Sequence, residues 1–173
     1  MRVGFGYDSH RFDPDRDLIL GGVPIPGSPG LAGHSDGDAV AHAVTDAILG
    51  AAGEGDIGRH FPPEDPRWKD ADSIDLLHRA VEVLERVNVQ IVNVDVTLVC
   101  EAPKIAPFAD RMREVLGEAL RVGPSFVSVK GKTIEGMGWT GSGEGIAVYA
   151  VALVDHMGPM EEPHPSHPGS SSL

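Results

Sequence analysis

The sequence predicts an α+β sandwich in which helices pack on one face of a β-sheet. Two observations carry that expectation. Apolar residues alternate in strand-like segments such as 2–10 and 92–100 and recur at helical spacing in others. The elements also run strand, strand, helix, helix, strand, helix, strand, strand, a mixed succession that fits helices segregated to one side of a sheet. The 173 residues lie within the usual size of one domain, and a chain 41% hydrophobic and 23% charged can bury a core.

The elements follow in order. Arg2 to His10 alternates Val3, Phe5 and Tyr7 with Gly4, Gly6, Asp8 and His10, giving a strand with one apolar face and one face that is small and then polar. Leu18 to Ile25 is a second strand-like run, broken at Gly21-Gly22. Ser35-x-x-Asp38 reads as a capping-box start, followed by the alanine-rich helix AVAHAVTDAILGAA ending at Gly53. A Gly/Pro-rich loop extends to Pro66. Leu76, Leu77, Ala80, Val81, Leu84 and Val87 mark a second helix beginning near Asp72-Ser73. Val92, Val94, Val96, Leu98 and Cys100 alternate with polar residues in a strand. A third helix starts near Pro107, and 126–133 and 145–154 are the last strands. From Gly158 the chain turns Pro/Ser-rich, so 1–157 is the expected domain and 158–173 an expected disordered tail.

Composition excludes several functions. Fourteen Lys+Arg against 26 Asp+Glu give a net charge of −12, which argues against nucleic-acid binding. The longest apolar run, Ile146 to Val154, is nine residues, about half of what crosses a bilayer, and the first residues lack a secretory or transit pattern. No membrane association and a cytoplasmic location are expected. A single cysteine, Cys100, has no disulfide partner within the chain.

Chemistry concentrates in a few places. Asp8 and His10 point to one strand face, either as a polar strand edge or as paired ligands. Asp38, His42 and Asp46 are spaced i, i+4, i+8 along one helix, beside His34 and Ser35 at its expected N-terminus; the stripe is either a solvated face or part of a site. Taken together, Asp8, His10 and His42 form a three-donor set suited to zinc with one position open, provided the strand and helix meet. The loop through 56–66, the turn 100–106 and the segment 131–145 are either plain connectors or ligand contacts. Gly131-Lys132-Thr133 fails as a phosphate-binding P-loop because Phe126 stands where the motif needs Gly. Gly136, Gly138 and Gly141 lack the strand-then-helix context of a dinucleotide fingerprint.

These motifs, in this order, resemble the 2-C-methyl-D-erythritol 2,4-cyclodiphosphate synthase family of the non-mevalonate isoprenoid pathway. The matching residues are Gly6-x-Asp8-x-His10, HSDGD at 34–38, His42, Asp46, GDIG at 55–58 and F-P-x-x-D-P at 61–66. NVDVT at 93–97, APK at 102–104 and TGxGEGIA at 140–147 complete them. The resemblance implies a ferredoxin-like α+β sandwich with a mixed sheet, and a homotrimer with active sites at subunit interfaces. It implies a phosphorus–oxygen lyase acting on a small phosphorylated substrate: the 2-phosphate of 4-diphosphocytidyl-2-C-methyl-D-erythritol 2-phosphate attacks the β-phosphorus, closes the ring and expels CMP. A phosphate monoester is largely ionised near neutrality, so no triad is needed.

The same resemblance assigns residues. Asp8, His10 and His42 would hold one Zn2+ per subunit, with Ser9 nearby in contact with substrate. His34 and Thr133 would steady the reacting phosphates, assisted by Ser35. Asp56, Ile57 and Gly58, then Phe61, Pro62, Pro63, Glu64 and Asp65, would hold the erythritol portion. Cys100, Glu101, Ala102 and Pro103, with Lys104, Ile105 and Ala106, would receive the cytidine diphosphate together with Lys132, Thr133, Ile134 and Glu135. Trp139 belongs to the substrate contacts. Glu135 would meet a Mg2+ or Mn2+ bridging the phosphates, and Asp38 and Asp46 are supporting or second-metal candidates. The chain departs from the family at Ser142, usually Arg, at Trp139, usually Phe, and at Lys132, often Thr, where a lysine adds charge. A zinc-dependent phosphohydrolase of a nucleotide-linked substrate is the alternative enzyme, and a non-catalytic metal- and nucleotide-binding module the alternative outside catalysis.

Overall fold

The computed structural model describes residues 1–158. Apart from Gly158, the expected tail, with His164 and His167, lies outside the described residues. The strands are β1 (Arg2–Leu20), β2 (Val23–Leu31), β3 (Val89–Val99), β4 (Val127–Lys132) and β5 (Gly145–His156). The helices are α1 (Ala39–Ala52), α2 (Ile57–His60), α3 (Ser73–Arg86), α4 (Ala109–Ala119) and α5 (Gly138–Gly141), with 3-10 turns at Pro66–Trp68 and Pro124–Phe126. The strand order is β2-β1-β5-β3-β4; β3 and β4 run parallel and every other pair antiparallel, so the sheet is mixed.

Two boundaries differ from the sequence expectation. Leu18 to Ile25 is not one strand. β1 runs on to Leu20, and Gly21-Gly22, both left-handed at φ 57° and 71°, make the two-residue turn into β2. Gly fits there because two successive positive-φ positions strain any residue bearing a Cβ. Helix α1 starts at Ala39 rather than after Ser35: Asp38 is its N-cap and accepts from the amides of Val40 and Ala41. Ser35 and Asp36 instead accept from Gly37 and Asp38 amides, turning the chain before the helix begins. The helix stops at Gly53, left-handed at φ 83°.

Helix α1 lies against the small face of β1. A Cβ at Gly4 would stand 2.0 Å from the carbonyl oxygen of Ala47, and one at Gly6 1.9 Å from that of Ala43. Backbone therefore rests on backbone, and Ala43 and Ala47, both fully buried, keep the helix side equally thin. The amphipathic helices α3 and α4 bury Leu76, Leu77, Leu84, Met112 and Leu116 on the same side. The core is thus a single layer between sheet and helices, with Leu98, Ile146, Val148 and Ala150 from the central strands.

The apolar row of β1 faces the other way. Val3 is 67% exposed and Phe5 62%, and Tyr7, Tyr149 and Val151 continue the patch across β1 and β5. Phe5 and Tyr7 both pack on the Tyr149 ring, at centroid distances of 6.3 and 5.2 Å. The inversion follows from packing: only the glycine face is flat enough to admit the helix.

The two long connectors also carry structure. Residues 54–66 contain α2, capped by Asp56, whose Oδ1 accepts from the Arg59 amide at 2.9 Å. Residues 131–145 contain the single turn α5 inside the Gly136–Gly141 stretch, before β5 begins. No helix among the described residues is long and apolar enough to cross a membrane.

Candidate active site

Close packing of α1 on β1 decides which side chains meet. Asp8 and His10 follow Gly4 and Gly6 on the helix-facing side of β1, and His42 immediately precedes Ala43 on α1. Asp8 Oδ2 lies 2.9 Å from His10 Nε2 and 3.1 Å from His42 Nδ1. Asp8, His10 and His42 each offer one donor atom, and these atoms lie within 4.8 Å of one another.

The donors are oriented as well as close. His10 Nδ1 donates to the carbonyl of Ala32, which leaves Nε2 as the ring nitrogen that faces Asp8. His42 is gripped from behind by the hydroxyls of Ser73 and Ser35, 2.9 and 3.0 Å from Nε2, so Nδ1 faces the cluster. Burial alone would raise the Asp8 carboxyl, but hydrogen bonds and positive charge from His10 and His42 outweigh it and hold Asp8 well below the usual carboxylate range. The Asp8 hydrogen bond in turn raises His10, against the opposing effect of burial. Two imidazoles and a carboxylate suit zinc, whose ~2.0–2.1 Å bonds separate tetrahedral donors by about 3.3 Å. The two spacings to Asp8, 2.9 and 3.1 Å, need open only by a few tenths of an ångström, and all three donors lie within 4.8 Å, so the group can hold such an ion.

Asp38 and Asp46 do not join the cluster. Asp38 is fully buried and turned to the hairpin: its carboxylate accepts from Gly21 at 2.8 Å and Gly22 at 2.6 Å, besides the two helix amides. Burial pushes its carboxyl up to about 6, against the pull of those amides. Asp46 accepts from the Ile57 amide at 2.8 Å and so fixes the start of α2 next to the cluster; burial raises its carboxyl too.

The other candidates fall into three places. His34 is exposed, in the same turn as Ser35, whose hydroxyl touches the His42 ring. Ile57 and Gly58 lie in the one-turn helix that Asp56 caps. Phe61 packs edge-to-face on Trp68 at 5.1 Å, and the guanidinium groups of Arg67 and Arg79 lie over the same indole. Pro62, Pro63 and Glu64 form the bend between them, whereas Asp65 is bound to Arg67 at 2.6 Å and caps the 3-10 turn.

Across the sheet, Cys100, Pro103, Lys104, Ile105 and Ala106 join Lys132, Thr133 and Glu135 around a cleft of about 450 Å³. Glu101 fastens its two sides: Oε1 accepts from the amides of both Ile134 and Gly136 at 3.1 Å, flanking Glu135, whose φ is 57°. Ala102 precedes Pro103 through a cis peptide. Burial raises the Cys100 thiol, which suits a packing residue rather than a nucleophile. The Thr133 hydroxyl donates to Glu135 Oε1 at 3.4 Å, and Lys104 and Lys132 bring positive charge to the cleft lining. Trp139 lies elsewhere, in a cleft of about 610 Å³ with Ser9, His10, Arg11, Phe12 and Glu144. Ser142 binds Glu144 at 2.7 Å there, so it does not supply the positive charge of the usual Arg.

These places are not all brought together within one chain. Asp8 pairs with Val148, Val148 with Leu98 and Leu98 with Gly131, so the Asp8–His10–His42 cluster and the lysine-bearing cleft are three strands apart. At ~4.8 Å per strand that is about 14 Å. Both open at the same end of the sheet. The sequence reading also gave no role to three residues that matter: Ser73, Arg16 and, although it lies inside HSDGD, Asp36. Arg16 holds the Gly33 carbonyl at 2.7 Å and that of Ser35, bracing the turn that carries His34. No spacing rule marks them, since each lies far in sequence from the group it supports.

The comparisons agree with this geometry. The family model described as the YgbB family matches residues 1–155. A 2-C-methyl-D-erythritol 2,4-cyclodiphosphate synthase of Pelotomaculum thermopropionicum is 54% identical over 158 residues, covering 91% of this chain and 98% of that one. One from Symbiobacterium thermophilum is 56% identical over 154 residues, 89% of this chain and 98% of that one. A solved 2C-methyl-D-erythritol-2,4-cyclodiphosphate synthase, in a form with bound CDP, superposes with a TM-score of 0.81 at 36% identity, over 89% of this chain and all of that one. With its whole core spanned by that model and by relatives more than half identical, the chain is an enzyme of the YgbB family, the family of the 2-C-methyl-D-erythritol 2,4-cyclodiphosphate synthases.

Proposed function

We propose that this enzyme converts 4-diphosphocytidyl-2-C-methyl-D-erythritol 2-phosphate to 2-C-methyl-D-erythritol 2,4-cyclodiphosphate and CMP. The observation that carries the reading is the convergence of Asp8 with His10 and His42, oriented from behind, at the same end of the sheet as a lysine-bearing cleft. The names of relatives 54% and 56% identical support the same substrate.

The reaction joins two phosphates of one substrate. A 2-phosphate oxygen forms a bond to the β-phosphorus, the bond from the β-phosphorus to the bridging oxygen breaks, and CMP leaves with that oxygen. Asp8, His10 and His42 would hold Zn2+, which lends positive charge to phosphoryl oxygens. His34, exposed beside the cluster, and Thr133 steady the phosphates, with Ser35 behind His34. Asp56 and the Phe61–Asp65 bend hold the methylerythritol hydroxyls. Lys104 and Lys132 receive the cytidine diphosphate, and Glu135 would meet Mg2+ or Mn2+. Holding two polyanions in line in a protein of charge −12 requires this concentration of local positive groups.

Assembly as a homotrimer completes the site. About 14 Å of sheet separates the cluster from the cleft in one chain, so a neighbouring copy brings its own cleft to face the cluster. The open apolar face of Val3, Phe5, Tyr7, Tyr149 and Val151 supports burial against another copy. The four-strand order β1-β5-β3-β4 under one helical layer supports the ferredoxin-like description.

Incubation with the substrate and Mg2+, followed by phosphorus NMR, tests the reading. A cyclic diphosphate plus CMP is expected, with no turnover by His42→Ala. Linear phosphates formed by added water would overturn it in favour of a phosphohydrolase.

A further inference from the structure

Behind His42 lies a hydrogen-bond relay whose direction can be deduced. The Asp36 carboxylate only accepts. Its Oδ2 takes the amide of Ser73 at 3.0 Å, and its Oδ1 takes both the amide of Asp38 at 3.1 Å and the hydroxyl of Ser73. Two backbone donors therefore fix the carboxylate in place. The Ser73 proton is committed to it, so Ser73 Oγ has only lone pairs to offer His42 Nε2, 2.9 Å away. Ser73 is 1% exposed, which leaves no solvent to change the pattern.

The second hydroxyl is not equivalent. Ser35 Oγ lies 3.0 Å from His42 Nε2 but has no carboxylate partner. It accepts from the Gly37 amide at 3.2 Å and sits 3.2 Å from Ser73 Oγ, where its own proton finds a lone pair. Ser35 can reorient, whereas Ser73 cannot. The ring proton that satisfies Ser73 is the one on Nε2.

We propose that Asp36 and Ser73 are positioning residues for the metal: the Asp36–Ser73 relay keeps the His42 proton on Nε2 and so reserves the Nδ1 lone pair for the ion. The Ala32 carbonyl does the same for His10 from the opposite ring nitrogen. The relay also joins the ion to the first residue of α3, 31 positions beyond His42. This inference rests on the metal reading above.

Zinc affinity, measured on the full chain by competition with a chelator, tests it. Ser73→Ala should weaken zinc about 10–100-fold, and Ser35→Ala should weaken it less. The Ser73 amide bond to Asp36 and the Asp72 cap survive in Ser73→Ala, so α3 keeps its start. A second measurement needs no variant: in the zinc-loaded unmodified protein, the His42 ring proton should be found by 15N NMR on Nε2 and protected from exchange with water. Unchanged zinc affinity in Ser73→Ala, a larger loss in Ser35→Ala, or a loaded His42 protonated on Nδ1 each overturns the relay while leaving the metal reading intact. If the unmodified chain binds no zinc, the metal reading falls and the relay with it.

Discussion

Gly6 sits so close to Ala43 that a Cβ on it would stand 1.9 Å from the Ala43 carbonyl oxygen, inside any permissible contact. The obstacle is helix backbone, which cannot swing aside as a side-chain tip can. Gly6→Ala must therefore lift α1 from β1, and with it His42 from Asp8. The expected cost is about 3 kcal/mol, the upper part of the range for overpacking, read as a lower urea midpoint together with weaker zinc binding. Gly50 in the same helix has nothing within 4 Å of its added Cβ. Gly50→Ala should gain about 0.5–1 kcal/mol from helix propensity. A Gly6→Ala protein as stable as the unmodified one would show that the two backbones need not touch.

Zinc affinity should depend on pH through His10. Its pKa is raised chiefly by the Asp8 hydrogen bond, so a proton competes for Nε2 up to a pH above 6.5. Apparent affinity should climb by up to about one decade per pH unit below that point and level off above it. Without metal the signs work differently. The raised His10 contributes stability that is fully present below 6.5 and lost as pH rises through its folded value. The depressed Asp8 contributes stability present above 3.8 and lost as pH falls towards its folded value. The pair's contribution is thus greatest between about 4 and 6.5. Urea midpoints across pH 3–9 for the metal-free protein and for Asp8→Asn check it; parallel curves would dismiss the pair as a source of stability.

Asp38 should behave as a structural lock. It ties the Gly21-Gly22 turn to the first turn of α1 through four amide hydrogens, in complete burial. Asp38→Asn keeps Oδ1 for three of them and turns an amine on the Gly22 amide, at an expected cost of about 1–3 kcal/mol. Asp38→Ala strands all four and should cost more. Thermal melts of the two variants give the order, and a reversal of that order would refute the lock.

Much of this was legible because the signals are local. Alternation in the first half of β1 and in β3, helical spacing in α3 and α4, and Gly53 at the end of α1 each reflect a backbone preference of neighbouring residues. Asp8, His10 and His42 were legible as a donor set, but spacing alone does not show that strand and helix meet; the contact rests on the small Gly4–Gly6 face seen in the fold. The start of α1 differs because Ser35 and Asp38 are equally good capping residues in sequence, and only the fold shows that Asp38 takes the Val40 and Ala41 amides while Ser35 takes that of Gly37. The supporting roles of Ser73, Asp36 and Arg16 could not be read, although Asp36 lies inside HSDGD and Ser73 at a helix start: their partners lie 31, 37 and 19 residues away.

Lys132 lines the cleft beside Lys104 where the family often has Thr. If its ammonium meets the diphosphate, Lys132→Ala should raise KM about tenfold, the lower end for a charge-assisted hydrogen bond at an exposed site, with kcat little changed. Unaltered kinetics would remove Lys132 from the site.

Sharing of the site between chains gives a sharper experiment. Within one chain the Asp8–Val148–Leu98–Gly131 row sets the cluster and the cleft about 14 Å apart. If each active site takes its metal cluster from one copy and its cleft from the next, two kinds of inactive subunit can mend each other. His42→Ala spoils the cluster and leaves the cleft; Lys104→Ala with Lys132→Ala spoils the cleft and leaves the cluster. Unfolded together and refolded at equal concentration, the two chains assemble at random. One interface in four, half times half, then joins an intact cluster to an intact cleft, so about a quarter of the unmodified activity should return. Charge on the open face, as in Phe5→Glu, should abolish that recovery by preventing assembly, and sedimentation should find the variant monomeric. A site built within a single chain would give no recovery at any mixing ratio, because every subunit would still carry its own defect.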